Sequence, residues 1–222
     1  MKKTALLFLA FLFTLVFVSA QETDKNRVSI GLSSGWLSNS NAYKTVIGTD
    51  GFEYYGIKPG FSIGLDMGIF VTEKFRPRVE LKFVQMQQGV YWTDAYPNFD
   101  KTIVTLYNFD FNINLDYSLI KTEHFECFAS LGVTNEFNSG SMYKNLLTDG
   151  THSFNKYKAV SGQFPEAISG GNVSMILKYK INRTIGVTLT PGYNYYFRNY
   201  LRINDDSFQR LFLNAGVEFS FN

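Results

Sequence analysis

The chain has 222 residues and carries 21 Lys and Arg against 19 Asp and Glu, a formal charge of +2. So even a balance gives no field for a polyanion such as nucleic acid. A single cysteine, Cys127, excludes an internal disulfide framework.

The N-terminus reads MKKTALLFLAFLFTLVFVSAQ. Lys2 and Lys3 form a positive region, Ala5 to Val18 an apolar one, and Val18-Ser19-Ala20 a small-residue cleavage site before Gln21. This is the pattern of a secretory signal peptide over residues 1–20, with cleavage between Ala20 and Gln21. Gln21 rather than a cysteine stands directly after the cleavage site, which argues against a lipid anchor. Removing residues 1–20 removes two lysines and no acid, leaving 19 basic and 19 acidic residues. Residues 21–222 are read as one domain, since no linker or shift in composition divides them.

Beyond Gln21 no apolar run approaches the ~20 residues of a membrane helix. Alternation of apolar and polar residues recurs instead, the mark of strands with two different faces. Val28, Ile30, Leu32 and Trp36 alternate with Ser29, Gly31, Ser33 and Gly35. Phe61, Ile63, Leu65, Met67 and Ile69 alternate with Gly60, Ser62, Gly64, Asp66 and Gly68. Val79, Leu81 and Phe83 oppose Arg78, Glu80 and Lys82, in a strand that runs towards Tyr91. The fourth stretch, YNFDFNINLDYS from Tyr107 to Ser118, alternates for twelve residues without a slip.

The fifth sets Phe125, Cys127, Ala129, Leu131 and Val133 against Glu126, Ser130, Gly132 and Thr134. In the sixth, Val173, Met175, Leu177 and Tyr179 oppose Ser174 and Lys178. The seventh sets Ile185, Val187, Leu189, Tyr193, Tyr195 and Phe197 against Gly186, Thr188, Thr190, Gly192 and Asn194. The eighth sets Leu211, Leu213, Ala215, Val217, Phe219 and Phe221 against Asn214, Gly216, Glu218 and Ser220. Phe128, Ile176 and Phe212 break the pattern.

Connections alternate strictly between long (37–55, 92–101, 138–166, 198–209) and short (Thr72–Lys74, Ile120–His124, Lys180–Arg183). An up-and-down meander with its turns at one end and its loops at the other has this layout. It predicts an all-β fold: an eight-stranded antiparallel transmembrane β-barrel with short periplasmic turns and long extracellular loops.

A soluble, exported lipocalin-like calyx around an apolar ligand is the alternative, with the same period and reversed faces. Two features favour lipid. The polar face is Gly, Ser, Thr and Asn rather than the Lys and Glu of a wetted surface, and an eight-stranded interior is too narrow for ranks of Phe, Tyr and Leu. Aromatics also gather in two belts, Trp36, Phe61, Tyr91, Trp92, Tyr107, Tyr195 and Phe197 at the long-loop end, and Phe75, Tyr117, Phe125, Tyr179, Phe219 and Phe221 at the short-turn end.

The segment GIKPGFSIGLDMGIFVTEKFRPRVELKFVQMQQG, with its K-P-G-F entry to a glycine-rich strand and its R-P-x-V-E-L strand, resembles the PorT-like outer-membrane β-barrel family of Bacteroidetes-type bacteria. The closing LNAGVEFSF agrees, although the last residue is Asn222 rather than an aromatic. The likeness extends over the layout of nearly the whole mature chain. It implies the outer membrane of a Gram-negative-type bacterium. One member of the family is linked to protein secretion and gliding, and the resemblance brings no catalytic residues.

Asp66, Arg78, Glu80, Lys82, Asp116, Glu126, Lys178 and Glu218 share the inward parity. Charges enclosed in a narrow barrel must pair or stay hydrated. They read as a structural ion-pair network filling the lumen, with a proton or ion path as the sharper alternative. Gly60, Gly64 and Gly68 read as lumen positions where bulk is excluded. Asn172 and Asn182 match the glycosylation pattern, which is incidental in bacterial strands.

Catalytic chemistry finds little support. His124 lies in a short turn and His152 in the longest loop, where Thr151, Ser153 and Asp149 are neighbours in sequence without forming a triad. No metal-ligand spacing occurs, no cofactor is expected, and Cys127 reads as a small residue facing lipid. Loop 138–166, with Met142, Tyr143, Leu146, Leu147, Phe154 and Tyr157, is long enough to bind a secretion or adhesion partner. Other expected partners are outer-membrane lipids, periplasmic chaperones and the barrel-assembly machinery.

Overall fold

The computed structural model describes residues 27–39, 52–92, 98–158, 167–197 and 209–221. The expected signal peptide, with Ala20 and Gln21, lies outside these residues, as do parts of the four long connections. Nine strands occur among them: β1 Val28–Asn39, β2 Phe52–Ile69, β3 Phe75–Trp92, β4 Phe99–Lys121, β5 Phe125–Leu147, β6 His152–Lys158, β7 Ala167–Lys180, β8 Ile185–Tyr196 and β9 Gln209–Phe221.

Eight of the nine close a ring. Each strand pairs antiparallel with the next around the circuit β1–β2–β3–β4–β5–β7–β8–β9, and β9 pairs back onto β1. The stagger follows from the register. Starting at Ser29 and stepping through Gly68, Arg78, Asn114, Gly132, Asn172, Asn194 and Arg210, the circuit returns to β1 at Asn39, ten residues further along. With strands ~4.8 Å apart and a rise of ~3.3 Å per residue, that stagger tilts the strands by about 40° and sets a backbone radius of about 8 Å. Side chains from opposite walls therefore meet at the axis.

Side-chain hydrogen bonds fix the three short turns. Thr72 Oγ1 accepts from the amides of Lys74 (3.3 Å) and Phe75 (3.0 Å), and Thr122 Oγ1 accepts from Phe125 (3.0 Å). Asn182 Oδ1 accepts from Thr184 (2.8 Å) and Ile185 (2.7 Å). Such side chains stand in for a backbone acceptor and tighten a turn. The ladder between β7 and β8 lapses between Ser174↔Gly192 and Leu177↔Leu189, where Pro191 has no N–H to donate.

The longest connection departs from expectation. Residues 138–166 are not a plain loop: β5 runs on to Leu147 and β6 returns along it, pairing Leu146 with His152 and Gly140 with Lys158. Ser139 is the hinge of this extension. It bulges out of the β4–β5 ladder, and its hydroxyl donates to Tyr107 O at 2.8 Å. The bulge exchanges the faces of β5, so odd-numbered residues such as Ser141 and Tyr143 turn inward above it. At the tip, Asp149 accepts from both N and Oγ1 of Thr151, which holds its carboxyl below the usual range, and Gly150 takes φ 81°.

The barrel consequently has a tall wall and a short one. Strands β2 to β5 have 18, 18, 23 and 23 residues, whereas β1, β7, β8 and β9 have 12, 14, 12 and 13.

Orientation matches the membrane reading and excludes the calyx. On β4, Asn108, Asp110, Asn112, Asn114 and Asp116 are at most 3% exposed, while Phe109 is 44% and Leu115 48% exposed. Trp36, Phe61, Tyr195 and Phe197 are exposed at one end, and Phe75, Tyr117, Tyr179, Phe219 and Phe221 at the other. The side chains of Tyr91 and Trp92 lie outside the described residues. Eight to ten residues separate the belts along a strand, about 20–25 Å of barrel height at this tilt, which matches the apolar band of a membrane barrel. Leu131, midway between Phe125 and Phe137 on the outward face of β5 and 69% exposed, should meet the hydrocarbon centre. Leu131→Arg should cost about 2–4 kcal/mol in urea titrations of protein refolded into lipid vesicles. A loss below about 1 kcal/mol would mean that this face does not meet hydrocarbon.

Candidate functional site

Among the described residues charge concentrates in the lumen, and β4 supplies its spine. Asp116 Oδ2 accepts from Arg76 Nε at 3.0 Å and Arg78 Nε at 2.9 Å. Arg76 Nη1 reaches Glu218 Oε2 at 2.7 Å, and Lys178 Nζ lies 2.5 Å from Glu218 Oε1. Lys178 also approaches Glu126 at 3.8 Å, and Lys180 completes that end at 3.1 Å. In the other direction Arg78 Nη1 is 3.8 Å from Glu80, which pairs with Lys82 at 2.9 Å and accepts from Asn112 Nδ2 at 2.9 Å.

Seven of the eight residues expected in the lumen thus form one unbroken chain of contacts. The eighth, Asp66, lines a cavity beside Arg76, Arg78, Glu80 and Glu218, with no ion pair among the described residues.

The hub of the chain, Arg76, was not among the residues expected. Pro77 precedes Arg78, and a proline inside a run usually marks a strand's start, so the strand reads as beginning at Arg78. Its parity, equal to that of Arg78, was the available signal.

A second network above the first was missed entirely. Arg210 Nη1 contacts Glu136 Oε2 at 2.7 Å, Asp110 Oδ2 at 3.2 Å and the Tyr196 hydroxyl at 2.9 Å. Tyr196 donates to Glu136 Oε2 at 2.9 Å, and Asn108 Nδ2 donates to Glu136 Oε1 at 2.5 Å. Glu136 and Arg210 lie just beyond the alternation as read, which stopped at Thr134 and opened at Leu211. Asp110 lies within the fourth alternating stretch, Tyr107 to Ser118.

The breaks in the alternation have a place. Phe128 and Ile176 turn inward and pack with Phe70 at the short-turn end. The Arg76 guanidinium lies 4.6 Å from the Phe128 ring and 5.3 Å from Phe70, with Arg27 on Phe70 at 4.7 Å. Such stacking suits a desolvated guanidinium. Phe212 joins Leu37, Val84, Met86, Val104, Leu106, Ile168 and Tyr196 at the other end. Apolar and ionic side chains thus interleave at both ends of the lumen: Glu126 and Lys178 lie nearer the turns than Phe128 and Ile176, and Arg210 lies nearer the loops than Phe212.

Glycines make room for the long side chains. A Cβ at Gly68 would sit 2.9 Å from Arg76 Cδ, at Gly64 2.7 Å from Lys82 Cγ, and at Gly186 2.6 Å from Lys178 Cε. One at Gly31 would overlap the Asp66 carboxylate, and one at Gly192 the Phe212 ring. Small residues and long charges are two halves of one packing.

Several buried polar atoms still have no hydrogen-bond partner among the described residues: Arg76 Nη2, Asp110 Oδ1, Asn112 Oδ1, both amide atoms of Asn114, Asp116 Oδ1 and Thr134 Oγ1. At about 1–3 kcal/mol for each unsatisfied group, their combined cost would rival the ~5–15 kcal/mol that stabilises a whole domain.

The remaining candidates do not assemble. His124 stacks 6.3 Å from Tyr179 at the turn end, and His152 meets Phe154 edge-on at 5.4 Å on the far hairpin. The barrel's length separates them. No group of three metal-ligating side chains occurs among the described residues. Cys127 has the outward parity expected, yet it is buried rather than bared to lipid, its small side chain set between the larger cross-strand neighbours Ile120 and Leu177.

An apolar exterior, a polar interior and no open edge in the ring are the three properties that allow strands to span a bilayer. The chain is an integral outer-membrane β-barrel with a side-chain-filled lumen.

No family model matches the chain, and a search of curated proteins finds no match. Solved structures do resemble it. Neisserial surface protein A is 15% identical with a TM-score of 0.45, over 88% of this chain and 97% of that one. Ail, the attachment invasion locus protein of Yersinia pestis, crystallised with the heparin analogue sucrose octasulfate, is 11% identical with a TM-score of 0.43 over the same shares. The N-terminal β-barrel domain of Pseudomonas aeruginosa OprF is 13% identical with a TM-score of 0.36, over 87% of this chain and 97% of that one.

Removing the hub of the first network should be costly. Arg76→Met would leave Asp116 and Glu218 short of a cation, and breaking a buried pair in this way costs about 3–5 kcal/mol. Arg76→Lys should recover little, because one ammonium cannot replace a fork that reaches both carboxylates. Urea midpoints of the refolded variants, measured against the wild type, check both outcomes.

Proposed function

We propose that this barrel serves the envelope as a closed structural and interaction element rather than as a pore or an enzyme. The observation behind this is the filling of the lumen. Two continuous ionic networks occupy it, and an apolar cluster packs among the charges of each. An ion crossing the barrel would have to shed its water against Phe70, Phe128 and Ile176 and against Phe212 and its neighbours. It would also have to break pairs already formed.

The eight residues Asp66, Arg78, Glu80, Lys82, Asp116, Glu126, Lys178 and Glu218, together with Arg76 and the Arg210 group, act in this reading as a plug that locks strand to strand. The protein belongs with the PorT-like outer-membrane barrels of Gram-negative-type, Bacteroidetes-like bacteria, on the strength of its K-P-G-F and R-P-x-V-E-L segments. It is exported by its N-terminal signal, cleaved between Ala20 and Gln21, kept soluble by periplasmic chaperones and inserted by the barrel-assembly machinery. Its wall then meets the lipids of the outer membrane.

The tall wall favours an interaction role alongside the structural one. The β5–β6 hairpin projects past the rim and bares His152, Ser153, Phe154 and Asn155. A strand pair held clear of the membrane is a natural contact surface for an envelope or extracellular protein.

Two measurements test the reading. Refolded protein in planar bilayers should show no steady, large conductance, and such a conductance would refute the plug. Replacing residues 147–153 with a short Gly-Ser turn should leave the heat-modifiable gel migration of the barrel unchanged. Loss of that migration would make the hairpin part of the barrel's own stability instead.

A further inference from the structure

We infer that the middle of the lumen is a binding site for ordered water, with one molecule held between Arg76 and Asp66 as a permanent part of the plug. A cavity of about 20 Å³ lies between β1, β2, β3, β7, β8 and β9, lined by Ser33, Asp66, Arg76, Arg78, Ile176 and Thr188 among others. A site needs roughly 10–15 Å³ to admit a water, so this one has the room.

Polarity selects the occupant. Arg76 is fully buried; its Nε and Nη1 are engaged by Asp116 and Glu218, but Nη2 has no partner among the described residues. It needs an acceptor. Asp66, on the same cavity, has no ion pair or hydrogen bond among the described residues and needs donors. It is also the only one of the eight lumen charges that keeps an accessible surface, the other seven being at most 7% exposed.

An anion would answer Arg76 but would face Asp66, Glu80 and Glu218. A metal cation would answer Asp66 but would face Arg76 and Arg78. A neutral molecule that both donates and accepts satisfies both, and at this volume that molecule is water. The partnerless atoms of Asn112, Asn114 and Thr134 continue the polar belt along β4 and β5.

The packing of Ile176 with Phe70 and Phe128 beside the cavity should make exchange with bulk slow. Cross-relaxation between water and protein protons, recorded by NMR on the refolded full-length protein in detergent micelles, tests this directly. Long-lived water contacts are expected at Thr188 and at the Arg76 guanidinium. Asp66→Asn, which keeps an acceptor, should retain the Arg76 contact. Asp66→Leu should abolish it.

Absence of long-lived contacts in the wild type would overturn the inference, whether or not Asp66→Leu folds. So would an anomalous-scattering peak in the cavity from crystals soaked in rubidium or bromide. A conducting barrel with these contacts intact would refute the closed-plug reading and leave the water site standing. A silent barrel without them would do the reverse.

Discussion

A strand crossing hydrocarbon has nowhere to leave a backbone N–H or C=O unpaired. Everything else in this structure descends from that requirement. It forces the sheet to close, and closure of eight strands with a ten-residue stagger sets a radius of about 8 Å. Within that radius the interior cannot be a bulk-water channel and cannot be left empty. It has to be packed with whatever the inward parity supplies. In a chain whose outward parity is committed to Phe, Leu, Ile and Val, what remains for the inside is small and polar.

Small residues alone would leave voids, and charges alone would leave desolvated ions. The chain resolves both by pairing them across strands. Gly68 opens the space that the Arg76 stem crosses, and Gly64 does the same for Lys82. The guanidinium then reaches past its neighbour to Glu218 on β9, three strands away around the ring. A contact of that length ties distant walls together, which ladder hydrogen bonds between neighbours do not. Buried ion pairs are weak stabilisers when compared with apolar replacements of the same volume. Their value here lies in register: a slip of one residue in any strand would turn its charges to lipid and its aromatics to the axis.

Much of this was legible because a strand's period of two survives any context. YNFDFNINLDYS shows both faces of the barrel in twelve residues, and the alternation of long and short connections gives the meander. What was not legible has physical causes. Strand ends above the membrane belt lose the lipid face, so the alternation fades, and Glu136 and Arg210 dropped out with it. The bulge at Ser139 exchanged the faces of β5 partway along, which hid β6 and made a paired hairpin resemble a loop. Phe128, Ile176 and Phe212 looked like noise because a rule about apolar-outward parity has no term for a lumen that must also be capped.

Those three exceptions bear directly on what the barrel can do. A polar interior open at both ends would be hydrated continuously, and its ion pairs would be loosened by solvent screening. Apolar residues packed among the charges keep the pairs in a low-dielectric setting, where an unpaired charge is costly and the network holds one arrangement. The Arg76 guanidinium shows the coupling most plainly: its edge is held by Asp116 and Glu218, and its face by Phe128. Network and cap are one unit through that side chain. The outward rule that sends Phe and Leu to the lipid therefore has to be broken at a few positions, because an interior built of charges depends on being shut.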